Sequence, residues 1–285
     1  MTTSADTQTD AGQAFPLTVA RFLGRLDVRC AGTRVDARLP APALLVLVRL
    51  LFHHGETIRR DQLAFSLWPD VSESDAKAML RRNLYTIQQS LPRRAAPWMQ
   101  CDSKTVTWGL CPGETWVDAT EFERLSQSPQ TLEQAARLYE GDFAPSIDHE
   151  WAASERDRLR KRSKRALEDL VERYNAEHDV RNALQYSERL LELDPWREDA
   201  LCNAMLLRYR LGDRAGAMYS YRTFCGRLQA EFGVDPMPQT RTILQRDQRR
   251  REPGLLELSD RGRLFGSFSE YRLRKADALP STGVT

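Results

Sequence analysis

The chain has 285 residues, of which 41% are hydrophobic and 29% charged, with a formal net charge of +2. That length suits two domains of about 100 to 150 residues, each able to bury its own core. The composition excludes a transmembrane helix, because the longest apolar run, Ala41 to Val48, falls well short of the ~20 residues a bilayer requires. It also excludes a molecule that attracts polyanions over its whole surface, so any nucleic-acid contact must come from local clustering of charge.

Residues 1–14 are polar, without the basic start and apolar middle of a secretory signal, and read as a disordered lead in a cytoplasmic chain. From Leu17 to Leu39 apolar and polar residues alternate about Ala31-Gly32, which predicts a hairpin with Phe22-Leu23 and Leu26 to Val28 on one side and Val35 to Leu39 on the other. The run ALLVLVRLLFHHG reads as a buried helix with Gly55 just past its end. After an extended link at Thr57-Ile58, Arg59 to Trp68 carries Leu63, Leu67 and Trp68 at helical spacing, and Pro69-Asp70-Val71 turns the chain. Ser72 or Ser74 can cap the next segment, where Ala76, Leu80, Leu84, Ile87 and Leu91 form one apolar stripe. Past Pro92 the period changes: Trp98 to Cys101 and Thr105 to Trp108 are β-prone pieces about Asp102-Ser103-Lys104, with an exit at Cys111-Pro112-Gly113. A hairpin directly after a basic helix is a wing, so residues 15–113 read as an α+β winged helix.

Trp116-Val117-Asp118 starts the passage to a second domain, 118–248, in which helical periodicity is broken only by short turns. Ala166-Leu167 matches Ala200-Leu201, Asp179 matches Asp213, Ala183 matches Ala217 and Leu190 matches Phe224, each pair 34 positions apart. That period belongs to tetratricopeptide-type helix pairs, which stack to bury their faces, and a weaker copy is expected around Leu132 to Arg158. Residues 249–285 hold no sustained period and read as a flexible tail. Cys30, Cys101, Cys111, Cys202 and Cys225 contain no CxxC pair, so they are expected to be reduced and mostly packed, with no metal or cofactor site.

The helix after Pro69 holds the chemistry. With its stripe turned inward, the wheel turns Ala78, Arg82, Tyr85 and Gln89 outward, sets Arg81 and Gln88 on a flank and leaves Lys77 near the buried edge. Between Asp75 and Arg94 there are five basic residues against one acidic. Arg reads guanine and Gln reads adenine with long forked donors in a major groove that admits a helix, so Arg81, Arg82, Gln88 and Gln89 have the chemistry of base readout. Tyr85 can stack on a sugar or bond a phosphate. Arg59 and Arg60 stand at a helix start, where anions are favoured, and Lys104 stands at the wing tip, in reach of an adjacent groove or phosphate. The partner this implies is double-stranded DNA.

These residues resemble a known family. Phe22-Leu23-Gly24, the ALLVLVRLL helix, RRDQLAFSLWPD, LRRNLYTIQQSL, the wing and VDATEFERL are similar to the OmpR-like winged helix of the Streptomyces antibiotic regulatory proteins. Tyr139 to Phe143, Trp151 with Glu155-Arg156, and Glu231-Phe232-Gly233-Val234-Asp235-Pro236 resemble the bacterial transcriptional activation domain that accompanies it. The resemblance covers roughly residues 17 to 245 and implies a transcription activator that binds direct repeats near a promoter, self-associates on DNA as side-by-side protomers and contacts RNA polymerase. Gln88-Gln89-Ser90 stand where the family tends to carry arginines, so its base preference does not transfer. The basic stretch Arg156 to Arg165 reads either as further phosphate or polymerase contacts or as a solvated face balanced by Glu155, Asp157, Glu168 and Asp169.

Two other classes compete. An enzyme finds no support in GxSxG, HExxH or phosphate-loop motifs, and His53, His54, His149 and His178 have no catalytic partner at useful spacing. An interaction scaffold whose winged helix binds protein would show little salt dependence on DNA.

Overall fold

The computed structural model describes residues 17–93, 95, 98–109, 114–238 and 240–241. The expectations for 1–14, for the tail 249–285 and for the exit at Cys111 to Gly113 lie outside the described residues. Packing divides the chain into one compact unit that ends at Leu159 and a second that begins at Arg160.

The first unit opens on β1 (Thr18–Arg21), β2 (Asp27–Cys30) and β3 (Thr33–Arg34), with Ala31 and Gly32 at φ 47° and 78° making the tight turn between β2 and β3. A hairpin about Ala31-Gly32 is therefore present, but its second strand is Thr33–Arg34 and not Val35 to Leu39, and Phe22-Leu23 falls between β1 and β2. Asp36 is buried, where it accepts the Val28 amide at 3.0 Å and the Arg34 guanidinium at 2.8 Å, so residues 36–38 coil into a 3-10 turn in place of a strand. Helix α1 (Ala41–Phe52) buries Val46, Leu47, Val48, Leu50 and Leu51, each apolar side chain contributing roughly 1.5–3 kcal/mol, and Gly55 turns out of it at φ 83°.

Thr57-Ile58 is more than a link. It belongs to β4 (Thr57–Arg59), which pairs with β6 (Thr105–Trp108), itself paired with β5 (Met99–Cys101). Its partner lies 50 residues away, beyond the reach of local periodicity. Between β4 and β5 stand α2 (Arg60–Leu67) and α3 (Glu73–Ser90). Ser72 caps α3 by accepting the Asp75 amide at 3.2 Å, and the whole stripe of Ala76, Leu80, Leu84, Ile87 and Leu91 is buried.

The passage out of the winged helix also joins its sheet. β7 (Thr115–Val117) pairs in parallel with β1, giving the order β3-β2-β1-β7. Helices α4 (Asp118–Leu125) and α5 (Leu132–Leu138) follow, then an irregular stretch to the start of α6 (Glu150–Ala176). Asp118 accepts the Phe22 amide at 2.8 Å and the Leu23 amide at 3.0 Å. Phe143 packs edge-on against Phe22, Phe52 and Trp151. Arg156 donates to the carbonyls of Phe143, Ala144 and Ile147 at 3.0–3.1 Å, which explains how an irregular segment is held with its backbone groups satisfied. At the crossing of Gly24 and Gly141 a Cβ on Gly141 would come within 2.9 Å of the Gly24 backbone, a distance no larger residue tolerates.

The second unit comprises α6 from Arg160, α7 (Val180–Leu193), α8 (Glu198–Arg210) and α9 (Arg214–Phe232), with α7 packed on α8 and α8 on α9. The 34-residue repeat is physical. Asp179 caps α7 through the Asn182 amide at 3.1 Å, and Asp213 caps α9 through the Gly216 amide at 2.8 Å. The residues before them, His178 and Gly212, both adopt positive φ, and all eight matched Ala, Leu and Phe positions of the repeat are buried. No third pair forms over 132–158, which holds the seven-residue α5, the irregular stretch and the start of α6. Among the described residues no helix is long and apolar enough to cross a membrane.

Candidate nucleic-acid interface

Three elements of the first unit converge on one basic surface: the start of α2, the outer face of α3 and the turn between β5 and β6. The turn is built by Asp102, whose carboxylate accepts the Lys104 amide at 2.7 Å, the Thr105 amide at 2.6 Å and the Thr105 hydroxyl at 2.8 Å. The Thr105 and Lys104 amides hold Asp102 below the ordinary carboxylate range, so the turn is anionic at its base while Lys104 projects from its tip.

Arg60 connects this turn to α2. Its amide donates to the Lys104 carbonyl at 2.8 Å and its Nη1 donates to the Asp102 carbonyl at 2.5 Å. The far end of α2 is also tied: His149 Nδ1 accepts the Trp151 amide at 3.1 Å, which leaves Nε2 as the donor to the Leu67 carbonyl at 2.9 Å. Helix α2 thus sets the wing at one end and the approach to α3 at the other.

On α3 the outward face is as the wheel places it. Lys77, Arg81, Arg82, Tyr85, Gln88 and Gln89 are all exposed, Tyr85 at 63%. The side chains of Arg81, Arg82, Tyr85, Gln88 and Gln89 make no hydrogen bond or ion pair with the described residues. Lys77 is different: its ammonium pairs with Glu73 one turn earlier and lies 5.7 Å over the Phe65 ring. Arg59 is likewise engaged, with Asp61.

A cleft of about 830 Å³ opens between the three elements. Arg59, Arg60 and Asp61 line it from α2, Lys77, Leu80 and Arg81 from α3, and Ser103, Lys104 and Thr105 from the wing turn. Five of the nine candidate residues therefore surround one space, while Arg82, Tyr85, Gln88 and Gln89 lie outside its walls on α3. Sequence reasoning missed Asp61, Glu73 and Asp102. Glu73 and Lys77 stand at the i,i+4 spacing of a helical ion pair, a readable signal, whereas the Asp102 to Arg60 link spans 42 residues and leaves none.

The second basic stretch is committed elsewhere. Arg156 holds carbonyls, Arg158 pairs with Glu123 and with Glu155 at 2.7 Å, and, in the second unit, Lys164 pairs with Asp194 at 2.8 Å. Of the acidic residues expected to balance the stretch, Glu155 pairs with Arg158; Arg156 holds carbonyls and Lys164 takes an aspartate outside that set.

Comparison with known proteins meets this architecture from two sides. Residues 115–246 match the family model of the bacterial transcriptional activator domain. Among solved structures, "Mycobacterium tuberculosis EmbR in complex with low affinity phosphopeptide" matches with a TM-score of 0.55 and 19% identity over 85% of this chain. The match spans 66% of the EmbR chain, and it is a likeness of fold. No curated protein matches the chain by sequence. The resemblance to the Streptomyces antibiotic regulatory proteins is borne out by the activator-domain match together with this fold, a winged helix followed by helical repeats. The matched domain begins inside β7, a strand of the first sheet, so the family boundary and the packing boundary at Leu159 fall in different places.

Proposed function

We propose that the chain is a sequence-specific DNA-binding transcription activator of the cytoplasm, without catalysis of its own, whose α3 enters the major groove of double-stranded DNA. Arg81, Arg82, Gln88 and Gln89 then face base edges, Tyr85 meets sugar or phosphate, and the cleft with Arg59, Lys77 and Lys104 takes the backbone. The observation that carries this reading is the outer face of α3, whose long forked donors are exposed and uncommitted beside a cleft lined by five cations. Arg60 acts mainly on the wing, which it holds through two carbonyls, and so positions Lys104. The helical repeats, matched to the activator domain, supply the surface for RNA polymerase, and side-by-side binding to direct repeats gives the protomers their contact.

The test is footprinting on DNA upstream of the protein's own and neighbouring genes, followed by gel shift on the protected segment. Arg82→Ala and Gln89→Ala are expected to weaken binding by roughly ten- to a hundredfold, the scale of a lost bidentate base contact, while circular dichroism shows the fold unchanged. Leu84→Asp, at a buried position of the same helix, is expected to unfold the first unit. Equal melting of Leu84→Asp and Gln89→Ala would overturn the assigned faces, and no protection at low salt would leave the scaffold reading in possession.

A further inference from the structure

Two of the five cations around the cleft are neutralised from within the chain. The Arg59 guanidinium is forked onto Asp61, Nε to Oδ1 at 3.1 Å and Nη2 to Oδ2 at 2.5 Å. Lys77 is paired with Glu73. Asp61 is itself a wall residue of the cleft, beside the Arg59 that it pairs with. The side chains of Arg81 and Lys104 have no such partner among the described residues.

A carboxylate and a phosphate engage a guanidinium through the same pair of parallel donors, so Arg59 cannot give its fork to both. The pair is also poorly explained as a stabiliser of the fold. The Arg59 side chain is 65% exposed and Asp61 33%, and exposed pairs of this kind contribute little to folding. The fork holds Asp61 below the ordinary carboxylate range, so both partners are ionised at neutral pH and the competition operates there.

We propose that Asp61 competes with a backbone phosphate of duplex DNA for Arg59, and Glu73 likewise for Lys77, so that seating a phosphate in the cleft requires exchange of a carboxylate for phosphate oxygens. The proposal rests on the DNA-binding reading above. Its consequence is a brake on the sequence-independent part of binding, which comes from phosphate neutralisation, leaving the α3 face to decide where the protein stays.

The experiment measures binding of the full chain to a labelled duplex of mixed sequence by fluorescence anisotropy over a range of sodium chloride concentrations. Asp61→Asn is expected to bind about threefold tighter at low salt, the scale of one exposed ion pair, and to steepen the salt slope by up to about 0.9, because no freed carboxylate then takes up a cation as the phosphate releases one. Glu73→Gln, which leaves the start of α2 untouched, is expected to move both quantities the same way. The gain from Asp61→Asn should vanish in an Arg59→Ala background, and it should exceed that of Asp70→Asn, an exposed carboxylate in the turn before α3. A gain that persists without Arg59, or that Asp70→Asn equals, reports general charge and overturns the competition. If the wild type binds and Arg82→Ala weakens it while Asp61→Asn tightens nothing, the competition fails and DNA binding stands. If the wild type does not bind duplex DNA at any salt concentration, the DNA-binding reading falls and the competition falls with it.

Discussion

Asp118 is a single carboxylate that fastens the chain back onto its own first strand. Burial pushes its pKa up to about 6, while the Leu23 and Phe22 amides that it accepts pull in the opposite direction without prevailing. Because the folded value lies above the ordinary one, the folded state holds the proton more firmly, and the stability linked to it is full below about pH 4 and is lost as pH rises through 6. In urea denaturation the advantage of the wild type over Asp118→Asn should therefore shrink by about 2 kcal/mol between pH 4.5 and 7.5. An advantage that grows with pH would show that the amide hydrogen bonds outweigh burial. At this scale the sequence was legible for the side chains that point outward. Eight of the nine candidate residues are exposed, and only Arg60 is half-buried, against the wing. Lys77 with Glu73 carried a helical spacing that could be read, but Arg60 meets a carbonyl 42 residues on and Arg59 forks onto Asp61 two positions away, a spacing with no helical ion-pair signal.

At the scale of elements, the stripe of α3 and the 34-residue repeat were legible because both are local periodicities that tertiary packing then rewards. β4 and β7 were not. Each is three residues long and owes its strand conformation to a partner far away in sequence, β6 for one and β1 for the other. The repeat carries a further consequence. His178 and Gly212 occupy the same position before their capping aspartates, but His178 holds φ 60° with a side chain and Gly212 holds φ 80° without one. In each case the following amide reaches the same kind of partner, Asp179 to the Tyr174 carbonyl and Asp213 to the Arg208 carbonyl, both at 2.9 Å. Left-handed backbone costs a residue with a Cβ roughly 1–2 kcal/mol, so His178→Gly is expected to stabilise the protein by about 1 kcal/mol after the greater freedom of glycine in the unfolded chain is discounted. Thermal melting monitored by circular dichroism checks this, and a lowered midpoint would mean that the His178 ring contributes a contact worth more than the strain.

For the whole chain, the winged helix read from the sequence as 15–113 leaves out β7, Asp118, Phe143, Trp151 and Arg156, which pack in the same unit. Without them the Phe22 and Leu23 amides lose their acceptor, at about 1–3 kcal/mol each, and Phe22 loses the Phe143 ring on which it packs. Those losses approach the whole stability of a small domain. A fragment of residues 15–159 is therefore expected to melt cooperatively and one of residues 15–113 to show no cooperative transition, which calorimetry of the two decides. Two transitions of equal sharpness would mean that the segment from 114 to 159 is an independent addition.

The parallel pairing of β7 with β1 also sets an order of events in time. During synthesis α3, the β5–β6 hairpin and the first three strands leave the ribosome ahead of β7, the last neighbour of β1, and Trp151 follows later still. The emerging chain must hold an open sheet edge, and the rings of Phe22 and Phe52 without Phe143 and Trp151, until that stretch arrives. The α3 face gains its full support only after the segment matched to the activator domain has begun to appear, so a chain interrupted before that point would not leave behind a stably folded first unit.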